Sequence, residues 1–171
     1  MPKEKKFPKV DRNPWNLHDV YAYQFHKERS KENDFYGKYM LLQKIGERRC
    51  GERQKLYMQI QVINHVFDEL PELGDINRYR ILPLDDLRYI ERRKFNMNDS
   101  IHISRQSEYP AKHLTFLGTV PGPANKNHIG WSMHGILDWL GLEYNLGHYY
   151  QFWQGREYET VEEGVYNYIP D

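Results

Sequence analysis

The sequence has little cysteine and no long apolar run. Cys50 is the single cysteine among 171 residues, so neither an intramolecular disulfide nor a zinc site built from cysteines is possible. Small secreted domains usually carry disulfides, and no segment approaches the roughly 18 apolar residues of a membrane span. The basic start, Met1–Lys6, is not followed by the apolar stretch of a signal peptide. These absences predict a cytoplasmic protein with no membrane partner.

Signatures of catalysis are also missing. Neither a G-x-G-x-x-G sequence nor a Walker phosphate loop is present, and the eight histidines form no H-x-H or H-E-x-x-H pair. His128, His134 and His148 could form a metal site with Asp138, because His134 and Asp138 would share one face of a helix. Spacings this long also arise by chance. We favour hydrogen-bonded or surface histidines, a bystander Cys50, and a non-enzymatic protein without catalytic residues, metal or cofactor.

Neither sign of charge is in excess over the whole chain, because 24 basic residues balance 24 acidic ones. The signs are distributed unevenly: residues 1–60 hold fourteen cations and eight acids, whereas residues 121–171 hold two and seven. Acids interleave with the N-terminal cations, and the pI of about 7.1 is below the value of roughly 9 that marks a dedicated nucleic-acid binder. The charge balance therefore argues against nucleic-acid binding, which remains the alternative function. The cations that could contact phosphates are Lys27, Arg29, Lys31, Arg48, Arg49 and Arg53.

Two long strands dominate the predicted fold. Tyr36–Ile45 is apolar at its centre, which indicates burial on both faces. Leu56–Phe67 alternates apolar and polar residues, as a strand with one core face does, and ends at the breaker Asp68–Pro71. The polar residues 46–54 are predicted to be the loop between these strands. Together with the β-forming stretch Asp19–Phe25, they predict an antiparallel meander.

Weaker patterns supply the other predicted elements. The clearest helix is expected from the N-cap Ser132 to the stop Gly141, on the helical spacing of Met133, Ile136, Leu137 and Leu140. Residues 145–155 repeat that spacing but also permit a strand. The remaining predicted elements are an exposed loop at His26–Asp34, a helical turn capped by Asp75 within Asp68–Asn77, strands at Arg78–Leu84, Ser100–Ser104 and Lys112–Val120, and a short helix at Asp85–Lys94.

These patterns together predict an α+β fold. Its main part is a predominantly antiparallel, twisted or barrel-like β-sheet with one or two short helices packed on it. Residues 1–12 are predicted to be a flexible basic arm, and residues 13–171 a single domain. Within that domain, residues 19–120 are the β-rich core, and the aromatic and acidic residues 121–171 pack on it.

The last third of the chain carries the candidate binding residues. Tyrosine and tryptophan side chains edged by carboxylates suit an interface with a basic partner protein. The competing interpretation is that most of these rings belong to the core. The candidate partner-binding residues are Asp138, Glu143, Tyr149, Tyr150, Trp153, Glu157, Tyr158, Glu159, Glu162 and Glu163.

A series of short phrases follows a recognisable order along the chain. The phrases are Asp19-Val20-Tyr21-Ala22, Gly37-Lys38-Tyr39, Gln43-Lys44-Ile45-Gly46-Glu47, Val66-Phe67-Asp68-Glu69-Leu70-Pro71, Ile81-Leu82-Pro83-Leu84, Ile103-Ser104 and Leu114-Thr115-Phe116-Leu117-Gly118. Over about residues 19–120 this order resembles the immunity protein family numbered twenty-six, which is found in bacterial polymorphic-toxin loci. The phrases are structural and contain no diagnostic chemistry.

The resemblance implies a cytosolic, non-enzymatic protein that binds a cognate toxin, often a nuclease, and neutralises it. Proteins of this kind commonly occlude the active or substrate-binding site of the toxin. The acidic C-terminal residues would then cover a basic cleft on the toxin, with charge speeding the encounter and buried rings giving affinity. The alternative is a nucleic-acid-associated β-barrel module that acts in defence or regulation through its basic N-terminal third.

Overall fold

The computed structural model describes residues 15–50, 55–84, 94–96, 101–104, 109–121, 136–137, 139–162 and 165–169. The strands are β1 (Asp19–Gln24), β2 (Tyr39–Cys50), β3 (Lys55–Val62), β4 (Lys94–Asn96), β5 (Ile101–Ser104), β6 (Leu114–Thr119), β7 (Ile136–Leu137), β8 (Glu157–Glu162) and β9 (Val165–Ile169). The helices are α1 (Arg29–Glu32) and α2 (Trp139–Trp153), with 3-10 turns at Leu73–Asn77 and Ala111–His113. Of β8 and β9 the backbone is described, together with the Glu157 side chain.

The strands form two sheets. The larger has six strands in the order β6-β1-β2-β3-β5-β7, all neighbours antiparallel except the parallel pair β5 and β7. The smaller has the order β4-β9-β8 and is antiparallel. The predicted α+β class, with a predominantly antiparallel sheet and short helices, is confirmed, and so is the meander of β1, β2 and β3.

The large sheet is covered on both faces, as the apolar centre of β2 predicts. Met40 and Leu42 point into the larger core cluster, whereas Leu41 between them belongs to the smaller cluster on the opposite face. Helix α2 covers the first face, and the 3-10 turn at Leu73–Asn77 covers the second with Ile76. The α2 residues in the larger cluster are Trp139, Leu142, Leu146 and Trp153.

Strand β2 runs five residues into the segment predicted as a loop. Its backbone pairs with β3 from Glu47↔Met58 to Cys50↔Lys55, after a register shift between Lys44 and Gly46. Gly46 permits this bulge because a Cβ atom there would lie 2.9 Å from the Gln59 side-chain oxygen. The loop prediction for 46–50 was wrong because ladder hydrogen bonds need backbone groups and tolerate polar side chains.

Three shorter predictions need correction. The exposed loop at His26–Asp34 contains α1, and its Ser30 is buried. Strand β3 ends at Val62 instead of Phe67, and Arg78–Leu84 contributes a single bridge, Ile63↔Ile81, since Pro83 cannot extend a ladder. The predicted helical turn does form, with Asp75 accepting a hydrogen bond from the Glu72 amide at 2.9 Å.

The helix predicted over residues 132–141 is wrong. Ile136 and Leu137 instead form β7, paired with β5, and α2 starts at Trp139 and runs through Gly141. The helical alternative for residues 145–155 is confirmed, and Gly155 follows the helix with a φ of +69°, as a helix-terminating glycine does. Among the described residues, no helix has the length and apolar composition needed to cross a membrane.

Some predictions fall on residues that the structure does not describe. They are the basic arm at residues 1–12, the segment 85–93 of the predicted helix, and the boundary region after Pro121.

Candidate binding site between helices α1 and α2

Glu143 is the buried acid around which the site is built. It lies one turn after Trp139 on α2, and only 4% of it is exposed. Its carboxylate accepts a hydrogen bond from the Tyr23 hydroxyl at 2.7 Å and from the backbone amides of Lys27 at 2.9 Å and His26 at 3.1 Å. Because these donors lie at the end of β1 and just after it, one carboxylate fastens this part of the chain to α2.

The ionisation of this carboxylate follows from its surroundings. Burial alone would raise the pKa of Glu143, but the hydrogen bonds from Tyr23 and from the Lys27 and His26 amides outweigh burial and lower it. Burial and the hydrogen bond to Glu143 raise the pKa of Tyr23 far above 10.0, so its hydroxyl stays a donor. Glu143 is therefore ionised and fully occupied at neutral pH, which does not suit a free general base.

Beside Glu143 lies a cleft of about 210 Å³, called here the histidine cleft. Its most distinctive feature is a pair of parallel rings, His26 and His113, whose centroids are 3.5 Å apart with an angle of 2° between the planes. Burial lowers the pKa of His113, and His26 and Lys112 lower it further against the opposing charge of Glu143. The cleft is lined by His26, Lys27, Tyr109, Pro110, His113, Trp139 and Leu140.

A second cleft of about 150 Å³ lies on the other side of Lys27 and Leu140. Its lining includes the aromatic rings of Phe25 and Phe35, whose centroids are 5.4 Å apart. Lys27 and Leu140 line both clefts, and the Lys27 ammonium donates a hydrogen bond to the Leu140 carbonyl oxygen at 2.5 Å. The remaining lining residues of this second cleft are Arg29, Ser30, Asn33, Glu143, Tyr144 and Gly147.

Leu140 and Tyr144 form an exposed apolar ridge on α2, called here the α2 ridge. They are one helical turn apart and are 59% and 53% exposed. The Arg29 guanidinium lies 4.4 Å from the centroid of the Tyr144 ring, in a cation–π contact. In the part of the chain that the structure describes, no carboxylate forms an ion pair with Arg29 or Lys27.

The structure separates the residues that the sequence grouped as partner-binding. Glu143 and Trp153 are buried, at 4% and 2% exposure, so neither is on an accessible surface. The Glu143 carboxylate is the clamp that holds the residues at the end of β1 against α2, and Trp153 belongs to the core. Tyr149 and Tyr150 are half-buried against that core. Glu157 is exposed at the start of β8. Tyr158, Glu159 and Glu162 lie on β8, their side chains not described, and Asp138 and Glu163 lie outside the described residues.

Of the suggested metal ligands, the structure describes His148 alone. His148 contacts the rings of Tyr144 and Tyr149, and His128 and His134 lie outside the described residues. The His26 and His113 rings do not suit a shared metal ion, because a metal must lie in the plane of each imidazole and their planes are parallel. Among the described residues, no group of three His, Cys, Asp or Glu could hold one.

The sequence pattern did not single out the histidine cleft or the α2 ridge. His26 and His113 come from distant segments, so no local motif joins them. Leu140 was assigned to a core stripe, although Leu140 and Tyr144 at i and i+4 carry the spacing of an exposed helical pair. Comparison of the chain with protein-family models, curated proteins and solved structures finds no match.

Proposed function

We propose that this protein is an immunity-type binding protein that neutralises a cognate bacterial toxin by covering its active or substrate-binding site. The observation that carries the proposal is the α2 ridge, two large exposed apolar side chains that line the clefts. Beside them lie two cations, Lys27 and Arg29, that form no ion pair with a carboxylate of the described residues. Central apolar anchors with a polar rim and neighbouring pockets are typical of protein-binding surfaces. The ordered phrases over residues 19–120 support the same family of functions.

The chemistry of the site favours binding over catalysis. A general base needs a titratable group that is free to reach a substrate proton. The Glu143 carboxylate is engaged by the Tyr23 hydroxyl and two backbone amides, and Tyr23 is buried with it. These groups therefore support a rigid surface, and we propose a non-enzymatic role for the protein.

The proposal predicts that a neighbouring open reading frame encodes a protein with a toxin-like C-terminal domain, and the test uses that domain. Both proteins are expressed together, and bacterial growth and complex formation by calorimetry are measured. Tyr144→Ala should weaken the complex about 30-fold, because truncating a central aromatic anchor costs about 2 kcal/mol. Leu140→Ala should act in the same direction, whereas Leu70→Ala, at an exposed leucine outside the site, is the matched control and should change little.

A second variant separates this surface from the acidic residues near the C-terminus. Reversal of all four acids predicted there should weaken the complex and flatten its salt dependence only if β8 and its surroundings form the interface. An unchanged affinity in that variant, together with a loss in Tyr144→Ala, would place the contact at the α2 ridge. The four acids are Glu157, Glu159, Glu162 and Glu163.

The alternative, a nucleic-acid-associated module, predicts a different result. Arg48 and Arg49 lie on the extended end of β2, and phosphate contacts there would give binding that falls steeply with salt. Fluorescence titration of the intact protein with single-stranded and double-stranded DNA and RNA measures this directly. Absence of a toxin complex together with tight, salt-dependent nucleic-acid binding would refute the proposed function in favour of the alternative.

A further inference from the structure

The histidine cleft is rich in hydrogen-bond donors and poor in acceptors. The Tyr109 hydroxyl accepts a hydrogen bond from the Trp15 indole at 2.7 Å, which leaves its own hydrogen to donate. Lys27 has three ammonium hydrogens and uses one on the Leu140 carbonyl oxygen. The carboxylate of Glu143, which contacts His26 beside the cleft, already accepts from Tyr23 and from two backbone amides.

Each imidazole gains a further donor when it takes up a second proton. The Nδ1 atom of His26 lies 3.1 Å from the Gln24 carbonyl oxygen and 3.3 Å from a Glu143 oxygen, so Nδ1 carries the proton and donates inward. A second proton on either ring would place positive charge 3.5 Å from its neighbour. An anion in the cleft would compensate that charge, and it would also accept hydrogen bonds from Lys27 and Tyr109.

We propose that the histidine cleft binds an aspartate or glutamate side chain of the partner protein, while the α2 ridge packs against apolar residues beside that carboxylate. The inference rests on the proposed function for the identity of the partner as a protein. Charge complementarity selects the occupant: the cleft offers an ammonium and a phenol as donors and two imidazoles that become cationic on protonation, and a carboxylate complements each of these. This cleft would bind an acidic group of the partner, whereas the acidic interface predicted from the sequence would bind a basic partner.

Binding of a carboxylate is coupled to uptake of a proton. Several charged and titratable groups surround His113. They are His26 and Lys27 after β1, Glu143 on α2, and Tyr109 and Lys112, which precede His113 in the chain. In the empty cleft the pKa of His113 is below 6.5, and a bound carboxylate raises it. Affinity therefore increases as the pH falls towards the free-protein pKa, by up to about tenfold per pH unit for one proton.

The experiment uses two dipeptides as probes, acetyl-Glu-Leu-amide and the neutral acetyl-Gln-Leu-amide. The histidine ring resonances of the full-length protein are followed by NMR through a pH titration with each probe. We expect the acidic probe to raise the pKa of His113 and to shift the His26 resonances, and the neutral probe to do neither. His113→Gln should remove the pH dependence of binding, and Tyr109→Phe should weaken binding about threefold to tenfold at every pH through loss of one donor.

Three outcomes of the probe experiment would overturn the inference. They are identical titrations with the two probes, tighter binding of inorganic phosphate than of the acidic dipeptide, and acidic-probe binding that His113→Gln leaves unchanged. If no toxin complex forms, that result counts against the proposed function, and the result with the dipeptides still stands. Conversely, a toxin complex that Tyr144→Ala weakens and His113→Gln does not, at any pH, retains the proposed function and refutes the carboxylate site.

Discussion

Replacement of Glu143 by glutamine is the most informative single perturbation of this fold. The change keeps the size of a side chain that is 4% exposed, and it removes the charge. In the native protein, the carboxylate accepts from the Tyr23 hydroxyl at 2.7 Å, the Lys27 amide at 2.9 Å and the His26 amide at 3.1 Å. In the Glu143→Gln variant, the amide NH₂ group replaces one oxygen and faces a donor.

The expected loss follows from these hydrogen bonds. A hydrogen bond to a charged group contributes about 1.5 to 3 kcal/mol, and a neutral one about 0.5 to 1.5 kcal/mol. The Glu143→Gln variant loses one of the two carboxylate oxygens as an acceptor, and its remaining oxygen is a neutral acceptor. We therefore expect the free energy of unfolding to fall by about 2 to 4 kcal/mol, a large part of the roughly 5 to 15 kcal/mol that stabilises an ordinary domain.

Urea unfolding followed by tryptophan fluorescence measures this loss as a lower midpoint at an unchanged slope. Tyr23→Phe is the matched control: it removes one donor, keeps the carboxylate, and should cost about 1.5 to 3 kcal/mol. Tyr23→Phe should cost less in the Glu143→Gln background, because the charged acceptor is already gone. A loss below about 0.5 kcal/mol in Glu143→Gln, as at ordinary surface positions, would refute the assignment of Glu143 as a buried clamp.

The same carboxylate makes stability depend on pH. The pKa of Glu143 is lowered on folding from its ordinary value of 4.5, so the native state binds fewer protons than the unfolded state in mild acid. Its stabilisation is complete above the unfolded-state pKa and is lost as the pH falls through the folded-state pKa. Unfolding midpoints measured between about pH 6 and pH 3 should therefore fall more steeply for the native protein than for Glu143→Gln. Parallel curves would contradict this.

Two further matched pairs test the fold. Gly118→Ala should lower the free energy of unfolding by about 2 to 3 kcal/mol, because φ is +145° and the new Cβ would lie 2.7 Å from Leu73 Cδ2; Gly37→Ala, with φ of +80° and open space, should cost about 1 to 2 kcal/mol. Equal losses in thermal melts would contradict the steric part. Trp139→Ala should cost about 3 to 5 kcal/mol and its neighbour Leu140→Ala less than about 0.5 kcal/mol, since they are 3% and 59% exposed; similar losses would exclude the docking of α2 described above.

The central strands were predictable because their signals are local. Alternation in β3 and the apolar centre of β2 reflect burial by neighbouring strands, and burial selects residue types directly. The end of β2 was not predictable in this way. Residues 46–50 have no apolar pattern, and they are held in the ladder by backbone pairing with β3, which leaves no mark on side-chain composition.

Helix α2 shows how an incomplete stripe misplaces an element. The apolar residues Ile136 and Leu137 have helical spacing relative to Leu140, but they form strand β7, which pairs in parallel with β5. The stripe that does face the core begins at Trp139 and includes Leu146.

Glu143 was predicted as a partner-binding residue because it lies among the aromatic and acidic residues of the last third of the chain. Its partners His26 and Tyr23 are 117 and 120 residues away, so no local signal indicated its burial. The histidine cleft was missed for the same reason, since its rings meet only in the folded chain.

The clamp between Glu143 and the residues after β1 has a consequence for synthesis of the chain. The Lys27 amide is made 116 residues before its acceptor, and a ribosome adding about 5 to 20 residues per second needs roughly 6 to 23 s to bridge that gap. Throughout that time Tyr23 and Phe25 have left the ribosome without the helix that covers them. The nascent meander thus presents aromatic surface for far longer than a strand takes to pair, and chaperone demand should be concentrated in translation, not in the lifetime of the folded protein.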